Sequence, residues 1–151
     1  MEESFINYLL LSGYMNHHFI YTGTVEKNWK TALGADNIYD KSKITESLFP
    51  EGLYVVFEEK LSVAIANAYT LGKELSSPPV ILKGKTLDEE YEFRPNCNYQ
   101  ELIIPTHKME VLGIFHQLPP LEIILKNYGR FLTGNVTEKD LLSVSEYLPL
   151  I

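Results

Sequence analysis

The sequence predicts an α+β fold in one domain over residues 1–151, on three observations. First, Glu51-Gly52-Leu53-Tyr54-Val55-Val56-Phe57 is a glycine-led run of strand formers, the pattern of a buried strand. Second, the helical stripe Leu61, Ala64, Ile65, Ala68 and Tyr69 follows it at once, with alanines that allow close packing on a sheet. Third, strand-like stretches then cluster between Val80 and Phe115, and helical patterns return only after Pro119-Pro120. Strands gathered in this way do not give the strict alternation of a doubly wound sheet. A chain of 151 residues suits one core.

In chain order, Glu2–Leu11 reads as a short helix with acids in its first turn and Gly13 as its stop. Phe19–Thr22 is rich in β formers, and Gly23 breaks or bends that strand. Val25–Leu33 carries Val25, Trp29, Ala32 and Leu33 at helical spacing, with Gly34 as the terminator. The polar stretch Ala35–Pro50 is a long loop with room for one short helix, and loops of that length are often functional. The helix beginning at Leu61 is expected to stop at Gly72 and the Ser-Ser-Pro-Pro run. Val80–Lys85 is a strand with a candidate bulge at Gly84. Glu90–Phe93, Asn98–Ile104 and Glu110–Phe115 complete the strands. Pro119-Pro120 opens a helix over Leu121–Leu132. Thr137-Glu138-Lys139-Asp140 resembles a capping box, with Asp in place of Glu or Gln, and starts a last short helix.

Composition narrows the function. A net charge of −7 argues against broad electrostatic binding to nucleic acid. Arg94 and Arg130 are the only arginines, so a phosphate site would lean on them, on lysines or on backbone N–H groups. The lone Cys97 gives no intrachain disulfide and fits a reducing compartment. The N-terminus opens with two glutamates, the wrong charge for a secretory leader, so a cytoplasmic setting is expected. His17 and His18 are adjacent and would face opposite ways in a strand, so no metal site is expected. No G-x-G-x-x-G, P-loop or G-x-S-x-G motif is present.

One carboxylate stands out. In Asn98–Pro105, alternation puts Tyr99, Glu101 and Ile103 on one face and Gln100, Leu102 and Ile104 on the other. Glu101 lies mid-strand between an aromatic and a β-branched residue, where an unpaired buried carboxylate is costly. Either this face meets solvent and Glu101 is an ordinary edge-strand residue, or it floors a cleft and Glu101 is held for chemistry.

Three segments together resemble the NAD-dependent ADP-ribosyltransferase family of toxins and poly-ADP-ribose polymerases. Ile20-Tyr21-Thr22-Gly23-Thr24 is similar to the first core strand, Gly52–Val56 with its alanine-rich helix to the glycine-led aromatic strand, and Asn98–Pro105 to the segment with the catalytic glutamate. The resemblance spans about Phe19 to Phe115, and its strength is the order and spacing of the segments. It implies a split two-sheet core at residues 19–115, with flanking helices, and leaves two C-terminal helices at 119–148 as an extension. It further implies NAD as substrate, Glu101 as the catalytic residue, Tyr54 as a stacking platform for nicotinamide, and Thr22, Gly23, Thr24 and Tyr99 around the cofactor. A fixed carboxylate would stabilise the positive charge that develops on the ribose as the glycosidic bond breaks.

Two positions depart from the family pattern. Thr22 stands where many members carry His or Arg, and offers a hydroxyl without their reach or charge. Tyr99 stands two residues before Glu101 in place of Glu or Gln, so arginine modification is not supported. The acceptor is expected to be a protein or small molecule rather than long nucleic acid, and a toxin or phage-borne modifier would suit the chain. The alternatives are a non-enzymatic interaction protein (an immunity protein, antitoxin or viral accessory factor) or the same fold without catalysis.

Overall fold

The computed structural model describes residues 19–44, 53–86, 92–93, 102–104 and 109–150. The segment Glu2–Leu11, the histidines at 17 and 18, Tyr99 and Glu101 lie outside the described residues. The fold is mixed α and β, with antiparallel strands in two sheets.

The larger sheet is built on β1 (Ile20–Val25), β4 (Pro79–Thr86) and β7 (Met109–His116), in that spatial order. On its far side β7 pairs with β2 (Ile38–Tyr39) through its first residues and with β8 (Glu146–Pro149) through its last. The smaller sheet has the order β3 (Leu53–Val55), β6 (Leu102–Ile104), β5 (Glu92–Phe93). The two sheets are joined where Tyr21 and Val56 exchange backbone hydrogen bonds of 2.8 and 2.9 Å. Leu53, Tyr54 and Val55 lie opposite Ile104, Ile103 and Leu102.

Alternation along the strands gives the large sheet two buried faces. Tyr21, Ile81 and Phe115 point to one, where α2 (Leu61–Leu75) and the C-terminal elements pack. Ile20, Leu82 and Ile114 point to the other, where they meet Leu53, Val55 and Ile104 of the small sheet and Ala32 of α1 (Glu26–Ala32). A sheet covered on both sides needs apolar residues at successive positions, which explains the unbroken Val80-Ile81-Leu82 run.

The α2 stripe expected from sequence is the buried one, with Leu61, Ala64, Ile65, Ala68 and Tyr69 all in the core. Gly72 does not end this helix, which continues to Leu75 and stops at Ser76 in the left-handed region, φ 50°. Gly72 instead leaves room for the chain to fold back, since a Cβ there would lie 3.0 Å from the Ser77 carbonyl oxygen. A register shift does fall between Lys83 and Gly84, but the extra residue is Leu112 on β7, because Lys83 lies opposite Gly113 and Gly84 opposite Val111.

The C-terminal region differs from the expected pair of helices. The Leu121–Leu132 pattern is broken into α3 (Leu121–Asn127) and α4 (Arg130–Thr133), and α5 (Glu138–Leu142) is followed by β8 rather than by coil. The break at Tyr128 and Gly129 turns Phe131 into the same core as Ile124. Strand β8 lies on β7 with Tyr147 over Gly113, so close that any Cβ at residue 113 would overlap the tyrosine ring. The α5 cap forms as the sequence implies: the Asp140 N–H donates to Thr137 Oγ1 (3.2 Å) and the Thr137 N–H to Asp140 Oδ2 (3.0 Å). Aspartate therefore closes the box despite its shorter side chain.

Candidate functional site

A cavity opens at the seam between the two sheets, beside the Tyr21–Val56 junction. Thr22, Gly23 and Thr24 of β1 and Leu53 and Tyr54 of β3 line it, with Asn28 from α1, Asn67 and Leu71 from α2, Tyr39 from β2, and Lys41 and Ile44 from the segment after β2. Its enclosed part is about 30 Å³, and with its open mouth the empty space is about 410 Å³. The first figure suits a water molecule; the second includes open solvent at the mouth.

Four of the residues singled out by sequence, Thr22, Gly23, Thr24 and Tyr54, thus come together from segments 30 residues apart. Tyr99 and Glu101 are outside the described residues, although the chain places Glu101 directly before Leu102, which pairs with Val55.

Each of the four also has work in the fold. Thr22 is 5% exposed, and its hydroxyl donates to the Tyr54 carbonyl oxygen at 2.8 Å. Tyr54 is 7% exposed, so little of its ring meets the cavity. Thr24 is buried and its hydroxyl hydrogen-bonds the phenol of Tyr39. Burial pushes the Tyr39 pKa up to about 12, and the Thr24 contact offsets part of that rise.

Gly23 differs most from expectation. The family resemblance implies a place beside the cofactor for it. Its missing Cβ instead admits the α2 backbone: a Cβ would overlap the Ala64 carbonyl oxygen and lie 2.8 Å from the Ala68 amide nitrogen. Backbone atoms inside a packed helix cannot step aside as a flexible side chain can.

Sequence reasoning did not single out Asn28, Tyr39, Lys41 or Asn67. Asn28 is 6% exposed, but its neighbours Glu26, Lys27, Lys30 and Thr31 are polar as well, so nothing in the sequence marks it. Tyr39 and Lys41 sit in the polar loop whose length marked it as a functional candidate.

A second group of polar side chains lies on the helical side of the sheet. Lys83 forms an ion pair of 2.5 Å with Glu138, the first residue of α5. The Tyr21 hydroxyl donates to the other Glu138 oxygen at 3.3 Å, and the Glu138 N–H donates to Glu58 Oε2 at 2.8 Å. Burial, followed by the charges of Glu138 and Glu58, pushes the Tyr21 pKa well above the usual tyrosine range. Every polar group here is matched, so the cluster reads as a clamp holding α5 to the sheet.

Among the described residues, no group of three or more His, Cys, Asp or Glu side chains could hold a metal ion. No helix among them is long and apolar enough to cross a membrane. Comparison with family models, with curated proteins and with solved structures finds no match.

Proposed function

We propose that the chain is an NAD-dependent ADP-ribosyltransferase with a split two-sheet core, acting on a protein or small-molecule acceptor. The observation that carries this reading is the convergence of Thr22, Gly23, Thr24 and Tyr54 on one cavity at the seam of two antiparallel sheets. The family resemblance gives these segments one shared task, and two separate strands line one cleft in accord with it. In this reading the ribose–nicotinamide bond lies near the β6 end of the small sheet. There the Glu101 carboxylate stabilises the developing ribose cation and holds the ribose hydroxyl groups for attack.

The test is nicotinamide release from NAD by the purified chain, alone and with protein acceptors, for wild type and Glu101→Gln. The substitution keeps the size and removes the charge. Turnover is expected to fall by about a hundredfold or more with NAD affinity little changed, as for loss of one preorganised electrostatic contact. A wild-type chain that binds no NAD overturns the proposal.

One observation favours a second reading, the transferase fold without catalysis. The Thr22 hydroxyl is already committed to the Tyr54 carbonyl, and the Tyr54 ring is nearly enclosed. An inactive relative would bind NAD in calorimetry and release no nicotinamide.

A further inference from the structure

We infer that Asn28 selects the ligand of the seam cavity by pairing its carboxamide with an amide edge, a carbonyl oxygen beside an N–H. This rests on the reading of the cavity as an NAD site, in which that edge is the carboxamide of nicotinamide. Asn28 and Ala32 are the buried residues of α1, four apart and so on one face of the helix. Ala32 packs into the core beneath that face. Asn28 is 6% exposed and carries a polar group there instead. Among the described residues its side chain makes no hydrogen bond. The other polar side chains on the described wall are engaged. The Thr22 hydroxyl holds the Tyr54 carbonyl, and the Thr24 hydroxyl bonds the Tyr39 phenol. Lys41, Tyr54 and Asn67 have interactions of their own.

The Asn28 amide is not sealed inside protein either. Among the described residues, the one sealed side-chain polar atom without a partner is Trp29 Nε1. Asn28 therefore lines the cavity with its amide open to it. A buried amide without a partner is unfavourable, and asparagine is a poor helix former. Neither packing nor helix propensity accounts for it, whereas a bound ligand does. The enclosed 30 Å³ exceeds the roughly 10–15 Å³ that a water needs, so the tip of a carboxamide can enter while the rest of the ligand stays in the mouth. A carboxamide presents an acceptor and two donors in one plane. Another amide edge meets both kinds at once, donating to Oδ1 and accepting from Nδ2. A carboxylate brings acceptors only and sets an oxygen against Oδ1.

The experiment measures binding by calorimetry of three probes: NAD, its analogue with a carboxylic acid in place of the nicotinamide carboxamide, and benzamide. Each is titrated into the wild type, Asn28→Leu (close in size, no polar group) and Asn28→Asp (close in size, acceptors only), with melting temperatures recorded. The wild type is expected to prefer NAD to the acid analogue by about tenfold or more, and Asn28→Leu to bring that ratio near one. Asn28→Asp should weaken NAD by about tenfold and the acid analogue further, through like charge. Melting of Asn28→Leu should be unchanged or higher, because it removes an unmatched buried amide. An unchanged ratio in Asn28→Leu, with NAD still bound, overturns the Asn28 assignment and leaves the transferase reading standing. The same unchanged ratio with lower melting in both variants overturns it too, and makes Asn28 a hydrated structural residue. If benzamide binds in an Asn28-dependent way and NAD does not bind, amide selection stands and the transferase reading falls. If neither binds the wild type, both fall.

Discussion

The Thr22 hydroxyl donates to the Tyr54 backbone carbonyl at 2.8 Å, one residue along from the point where Tyr21 and Val56 exchange backbone bonds. Three hydrogen bonds therefore stitch β1 to β3 at the seam. They hold the two sheets together beside the cavity that Thr22 and Tyr54 line. A residue read from sequence as a cofactor contact is also a fastener between the sheets.

Thr22→Val keeps the shape and removes the donor. We expect a loss of about 1–2 kcal/mol, since a buried carbonyl then faces a methyl group. Thr22→Ser keeps the hydroxyl and should retain the link. Urea unfolding of both variants measures the difference, and equal loss in the two would mean that methyl packing, not the hydrogen bond, holds the seam.

Gly23→Ala should destabilise even though it adds one carbon. The new methyl meets the α2 backbone at Ala64 and Ala68 rather than a side chain, so the helix must shift from the sheet. A cost of about 3 kcal/mol or more is expected from overpacking of this kind. Chemical denaturation checks it; an unchanged midpoint would show that α2 can move freely.

Lys83 and Glu138 have side chains 14% and 28% exposed. Removing either charge leaves the other half-buried. Lys83→Met or Glu138→Gln should each cost about 2–3 kcal/mol, less than for a fully dry pair because both ends keep some solvent. The double variant Lys83→Met/Glu138→Gln should cost less than the sum, and a double-mutant cycle reads that coupling directly.

Alkaline pH should unfold the protein through its buried phenols. Burial raises the pKa values of Tyr21, Tyr39 and Tyr69 above the usual tyrosine value, with Tyr39 at about 12. The folded chain thus holds protons that the unfolded chain releases near pH 10. Stability is complete below pH 10 and falls as the pH rises, with the Tyr39 contribution lost across pH 10 to 12. For Tyr39 that contribution is on the order of 2–3 kcal/mol. Tyr39→Phe should flatten the decline by up to one proton's worth of slope; an unchanged slope would show that Tyr39 does not titrate with unfolding.

Much of the fold was legible along the chain. The strand at Leu53–Val55, the α2 stripe and the Thr137–Asp140 cap follow from alternation, helical period or local hydrogen-bond chemistry, as does the start of β1, which runs on through Gly23 to Val25, a residue the sequence assigns to the next helix. Such features are set by neighbours within a few residues, which a sequence displays directly. The β8 strand was not legible. Glu146–Pro149 is mostly exposed and ends in proline, and it becomes a strand because β7 offers an unpaired edge and Gly113 leaves a place for Tyr147. The Leu121–Leu132 pattern likewise conceals the break that lets Phe131 join Ile124 in the core.

For the candidate site, the sequence by itself determined which segments carry uncommon residues: the Thr22-Gly23-Thr24 run, the segment with Tyr54, and the segment with Glu101. It also determined the acidic balance of the chain. Only the tertiary structure decided that Thr22 and Tyr54 share one cavity, that Asn28, Tyr39, Lys41 and Asn67 complete its described wall, and that Gly23 makes room for the α2 backbone. The reason is physical. Residue type and spacing report on local geometry, whereas a cavity is made by backbones that meet from distant parts of the chain. Its shape is fixed by contacts such as Thr22 to Tyr54 that have no signature in either segment alone.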